Sequence, residues 1–155
     1  MKVAVTCDHA GFPLKDTVLD TIRKAGHEVL DLGTDSTASV DYPDFAEKLG
    51  RAIQRGEADR GVVICGSGVG AAVAVNKMLG LRAGLCHDTY SAHQCVEHDD
   101  VNVLALGGQI IGPEVAVEVV RAFLAAKFTG EERHVRRLNK VLAIERSEAS
   151  RKQGA

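Results

Sequence analysis

The chain has 155 residues, 45% of them hydrophobic and 4% aromatic, with no tryptophan. That suits one domain, residues 1–150, with an aliphatic core and a frayed tail at 151–155. A formal charge of −2 leaves no basic field for nucleic acid, and no apolar run approaches the ~18 residues of a membrane span.

The chain starts on a β-branched run, "KVAVTC" (2–7), read as a buried strand. "DHAGFPLKDTVLDTIRKAG" follows, with Leu14, Val18, Leu19, Ile22 and Ala25 on one helical face. Pro13 suits its first turn and Gly26 its end. "HEVLDLG" (27–33) is a second strand, 34–43 a polar loop and 44–56 a helix stopped by Gly56. "GVVIC" (61–65) is continuous and apolar, as buried parallel strands are. A helix is predicted over 68–80, a strand over 81–86, and a helix over 88–100 with Asp88 as its N-cap. A fifth strand spans 101–107 and a helix 112–128. A last helix, 131–150, carries Val135, Leu138, Val141 and Leu142 on a stripe with no later strand to reach.

Five strand–helix alternations predict an α/β, Rossmann-like, doubly wound parallel sheet with helices on both faces and an extra C-terminal helix. Ligands in such sheets sit at the carboxyl ends of the strands. The residues there are "CDHAG", "CGSGVG", "CHD" and "GGQIIG". The four cysteines show no CxxC pair, and the chain begins without a signal-peptide pattern. They read as reduced thiols of a cytoplasmic protein.

Gly66, Gly68 and Gly70 form G-x-G-x-G, not the G-x-G-x-x-G of a dinucleotide fold, and no Gly-Lys-Ser/Thr follows. A plain tight turn and a cradle of backbone N–H groups for an anionic oxygen both remain open. Cys65 enters this loop where a helix end favours thiolate, or else fills a strand end as a small hydrophobe. Ser67 adds a hydroxyl. Asp8 could orient His9 after the first strand. His93 and His98 are five apart and do not share a helical face, whereas Cys95 and His98 do. With no HExxH pattern, no metal site is predicted. Arg133 and Arg137, at i and i+4, form a phosphate clamp or a solvated face paired with Glu131 and Glu132.

Together "CDHAG" (7–11), "DYPDFA" (41–46), "CGSGVG" (65–70), "NK" (76–77), "VEHDDVNVLALGG" (96–108) and "RH" with a later Arg (133–137) resemble one family. It is that of type B ribose-5-phosphate isomerases and galactose-6-phosphate isomerase subunits, over about residues 2 to 145. The resemblance implies a metal-free, cofactor-free aldose–ketose isomerase of a sugar phosphate, a homodimer or tetramer with sites built from two chains. It makes Cys65 the base between C1 and C2. Ser67 and the backbone of Gly66, Gly68, Val69 and Gly70 hold the enediolate oxygen, and His98 opens the sugar ring. Asp8, His9 and Tyr42 hold hydroxyls or phosphate, and Arg133 and Arg137 hold the phosphate. Two positions depart from the family pattern. Asp99 stands where Asn is common, and Gln109 where Arg is common. Each makes the pocket less positive and points away from ribose 5-phosphate toward a tetrose or another pentose or hexose phosphate. A Rossmann-type module that binds a nucleotide or sugar phosphate without turnover is the competing reading, and it predicts no solvent proton exchange into the sugar.

Overall fold

The computed structural model describes residues 1–151. Its sheet has five parallel strands in the order β2-β1-β3-β5-β4. They are β1 (Lys2–Cys7), β2 (Glu28–Asp31), β3 (Arg60–Cys65), β4 (Ala83–Leu85) and β5 (Val103–Gly107). Helices α1 (Phe12–Lys24), α4 (Thr89–Asp99) and α5 (Pro113–Ala125) cover one face. Helices α2 (Tyr42–Gln54) and α3 (Val69–Val75) cover the other. Helix α6 (Glu132–Arg151) lies against α4. The fold is the Rossmann-like α/β sheet predicted from the alternation. No helix among the described residues is long and apolar enough to cross a membrane.

Two aliphatic clusters sandwich the sheet. β1, β3 and β5 are buried almost throughout, so their side chains feed both faces and their sequences show no polar alternation. Cys7 lies in one cluster, with Val5, Ile64, Leu106 and Phe123. Cys65 lies in the other, with Val63, Ala71 and Ala105. Strand order reverses between β1 and β3, and the segments that open there are 8–11 and 66–70. This is the switch point where such folds leave a crevice.

Several boundaries differ from expectation for local reasons. α2 starts at Tyr42, inside the expected loop, because Pro43 fits a first helical turn. α3 stops at Val75 rather than Gly80. The Asn76 side chain there accepts from the Ala83 N–H (2.8 Å) and donates to the Ala83 carbonyl (3.0 Å), pinning the chain to β4. α5 ends at Ala125, since Ala126 is extended and its carbonyl, with that of Phe123, accepts from the Arg60 guanidinium. Arg151 is helical, not frayed; the rest of the expected tail, 152–155, lies outside the described residues.

Candidate active site

At the carboxyl end of the sheet the site is made of backbone. Asp8 is buried, and its Oδ1 accepts from the amides of Ala10 (3.0 Å) and Gly11 (2.9 Å), so the turn after β1 is tied into a compact loop. The carbonyl of Ile64 accepts from the Asp8 N–H, which docks that loop on the end of β3. His9 Nδ1 accepts from the Val40 amide at 3.2 Å, leaving Nε2 as the proton-bearing nitrogen of the neutral ring.

Cys65 ends β3 and is 5% exposed. The Gly68 N–H donates to its Sγ at 3.1 Å. Gly68 has φ +81°, in the left-handed region, and a Cβ there would come within 2.9 Å of the Leu106 backbone. Only glycine lets the chain turn this sharply under the sulfur. The Val69 amide reaches Ser67 Oγ at 3.3 Å. The first intrahelical bond of α3 is Ala72 N–H to the Gly68 carbonyl, so the amides of Gly70 and Ala71 precede it as first-turn donors. The loop after β5 closes over this one. Gly108 N–H donates to the Cys65 carbonyl at 2.8 Å, and Gln109 N–H to the Gly66 carbonyl at 3.0 Å. The Gln109 side chain folds onto Gly66, where a Cβ would meet its Oε1 at 3.3 Å. Tyr42, half-exposed at the start of α2, lays its ring over Gly70, where a Cβ would meet Cζ at 2.7 Å. Asp8, His9, Tyr42, Cys65, Ser67, the glycine loop and Gln109 thus meet at one place.

His98, Asp99, Arg133 and Arg137 do not join them. α4 runs back along the sheet for about 16 Å and delivers His98 to the amino end of the strands. There Arg82, just before β4, donates from Nε to the carbonyls of Asp99 (3.2 Å) and Asp100 (2.9 Å), and pairs with the Asp100 carboxylate at 2.9 Å. Asp100 takes φ +49° to end the helix; aspartate tolerates that region better than most residues. Gln94 Nε2 lies 2.8 Å from His98 Nδ1. Cys95, three residues before His98 on α4, turns its sulfur to Cys86. The imidazole of His134 stacks on His98 with ring centroids 4.0 Å apart. His134 is 1% exposed; its Nδ1 meets Thr129 Oγ1 at 2.6 Å, and its Nε2 has no partner. Burial, then His98 and Arg133, hold its imidazolium form below the ordinary histidine range. Arg133 pairs with Glu131 at 3.0 Å, both exposed, so the solvated-face reading of that side chain holds within one chain.

His134 carries no role in the sequence reading. Its local pattern is that of a polar helix start, and only the packing of α6 under α4 reveals it. Asp88 caps α4, as expected, by accepting from the Ser91 amide at 2.7 Å. Among the described residues no three His, Cys, Asp or Glu side chains are placed to hold a metal ion. A groove of about 780 Å³ lies between the α3–β4 loop and α6, lined by Met78, Leu79, Leu81, Val141, Leu142 and Ile144.

The sequence model of the ribose/galactose isomerase family matches residues 3–141. Ribose-5-phosphate isomerase B of Escherichia coli is 43% identical over 93% of this chain and 96% of its own length. A D-erythrulose-4-phosphate isomerase of Pectobacterium atrosepticum is 40% identical over 84% of this chain and 86% of its own. Among solved structures, that of Clostridium thermocellum ribose-5-phosphate isomerase B superposes with a TM-score of 0.92 at 44% identity, covering 96% of this chain and 99% of the other. The chain therefore belongs to the ribose/galactose isomerase family and is an aldose–ketose isomerase of sugar phosphates.

Proposed function

We propose that Cys65 is the base of this isomerase and moves the proton between C1 and C2 of a sugar phosphate through an enediol. The observation that carries the reading is the Gly68 amide donating to Cys65 Sγ beside first-turn N–H groups of α3. The sulfur has a donor suited to a thiolate, and the amides of Gly66, Ser67 and Gly70 offer donors to an enediolate oxygen, beside the Gly68 and Val69 amides that brace Cys65 Sγ and Ser67 Oγ. Aldose and ketose have the same oxidation level, so the step needs a proton carrier and an anion site. Asp8, His9, Tyr42 and Gln109 line the same mouth and bind hydroxyls or phosphate.

His98 opens the cyclic sugar, and Arg133 and Arg137 hold the phosphate, in a site completed by a second copy of the chain. Their separation from Cys65 within one chain supports this. An isologous two-fold with its axis across the strands sets the amino end of one sheet beside the carboxyl end of the other. Exposed apolar side chains run between the two ends on the α3 and β4 side: Val69, Val73, Leu85 and Leu79, each at least 39% exposed. The unit so formed is a cytoplasmic homodimer, or a tetramer of two such pairs, with residues 1–150 acting as one domain.

The substrate is a sugar phosphate other than ribose 5-phosphate, a tetrose or a differently configured pentose or hexose phosphate. Gln109 offers one neutral amide where the family commonly has a charged fork, and Asp99 adds a carboxylate beside His98. The erythrulose-phosphate relative supports this direction. The test is a screen of four-, five- and six-carbon aldose and ketose phosphates, with chelator present, for interconversion and solvent hydrogen exchange. Interconversion of a non-ribose substrate with the highest kcat/KM is expected. Binding without exchange for every compound would leave the non-catalytic reading, and ribose 5-phosphate as the best substrate would overturn the specificity.

A further inference from the structure

The chain has four cysteines, and the isomerase chemistry draws on one. Cys7 is inert: burial pushes its thiol up to about 11. Cys86 and Cys95 are arranged differently. Cys86 leaves the end of β4 and turns inward at 3% exposure, while Cys95 sits partly exposed in the middle of α4. Their sulfurs are 3.9 Å apart, with the Cys86 S–H donating to Cys95 Sγ. The Cys95 S–H in turn donates to the Ala92 carbonyl at 3.4 Å. Two residues before Cys86, on the same side of β4, stands Gly84; a Cβ there would lie 3.4 Å from each sulfur, so its absence keeps the space beside both open. The Cys86 hydrogen bond holds the Cys95 thiol below its ordinary range, and the same bond together with burial raises Cys86. The outer sulfur is therefore the more readily ionised of the two, and the inner one holds its proton more tightly.

We infer that Cys86 and Cys95 form a second reactive site, a reversible dithiol whose oxidant is a hydroperoxide. The Cys95 thiolate attacks the distal oxygen of ROOH; the O–O bond breaks, the remaining alkoxide takes a proton and leaves as ROH, and Cys95 becomes a sulfenic acid. Cys86 then attacks that sulfur and gives up its proton, a disulfide bond forms, the S–O bond breaks and water leaves. Two thiols and one peroxide thus yield one disulfide, ROH and water. The sulfurs are oxidised by two electrons and the peroxide is reduced by two. A disulfide is about 2.05 Å long, so the two sulfurs close by roughly 1.9 Å. The partners are nine positions apart and reach each other across the short β4–α4 turn. His98 lies three residues beyond Cys95 on the same helix, which places the modification next to a group of the proposed reaction without involving Cys65.

The test uses the full-length reduced protein treated with equimolar hydrogen peroxide, then quenched with an alkylating agent. Digestion that cuts at Tyr90 separates the two cysteines for mapping. The expected result is a Cys86–Cys95 link that forms before any product on Cys7 and is reversed by dithiothreitol. In Cys86→Ser, which cannot resolve, Cys95 sulfenic acid should accumulate and be trapped by dimedone. Alkylation of both Cys86 and Cys95 after peroxide has consumed Cys65 overturns the inference. So does conversion of Cys95 to sulfinic acid with Cys86 still free. The mapping on the unaltered protein needs no variant to fold and reads mass rather than turnover, so it stands apart from the assignment of Cys65.

Discussion

At the carboxyl end of the sheet, backbone amides do the holding. Asp8 is bound by the amides of Ala10 and Gly11, Cys65 by Gly68, His9 by Val40 and His87 by Gly107. At the amino end, side chains hold side chains: Gln94 to His98, Thr129 to His134, Arg82 to Asp100, Arg133 to Glu131. A backbone-built site is rigid and its donors cannot be mutated away, which suits a group that must stabilise a developing anion without reorganising. A side-chain-built site is adjustable residue by residue. The contrast accords with the proposal that proton transfer between C1 and C2 belongs to the first end, and ring opening and phosphate holding to the second.

The largest expected effect tests the first end. Cys65→Ala should abolish solvent exchange at the substrate's C1 or C2 while phosphate ligand binding, followed by calorimetry, survives; normal turnover would remove Cys65 from the mechanism. Mixing inactive Cys65→Ala and His98→Asn chains tests whether the two ends meet between subunits. Random reassortment makes half the dimers hybrid, each with one intact site, so activity should recover to about one quarter of wild type. No recovery in a verified hybrid would mean the ends work apart.

His98→Asn comes next. Loss of a general acid–base group costs about 10²–10⁴-fold, and it should fall on cyclic substrates while a four-carbon aldose 4-phosphate, which cannot cyclise, is nearly spared. Equal losses on both would reject ring opening as its role. A smaller effect is expected at the specificity positions. Asp99→Asn with Gln109→Arg should improve kcat/KM for ribose 5-phosphate by roughly tenfold to a hundredfold, the worth of one hydrogen bond to a charged group.

The smallest effect concerns His134. Its folded-state proton affinity is depressed, so below about pH 6.5 the unfolded chain binds the proton first and stability falls with acidification, levelling off once the folded group also protonates. Above neutrality the contribution is flat. Thermal midpoints at pH 7.5 and 5.5 should differ more in the wild type than in His134→Gln; equal pH dependence would mean that another group carries it.

The strands, their parallel arrangement and the glycine loop were legible from sequence because each depends on neighbours within a few residues. A continuous apolar run must be buried on both sides, and closely spaced glycines after a strand mark a backbone that turns sharply. The placement of Cys65 and Ser67 at the strand end and the capping role of Asp88 follow from such local rules. Sequence alone did not separate the two ends. Cys65 and His98 stand together in the family pattern, yet the direction of α4 carries His98 to the far edge of the sheet. The His98–His134 stack joins residues 36 positions apart, and the Cys86–Cys95 contact depends on the angle at which α4 leaves β4. Those pairings arise from helix packing on a finished sheet, where many residue combinations satisfy the same apolar periodicity, so only the tertiary structure decides which side chains touch.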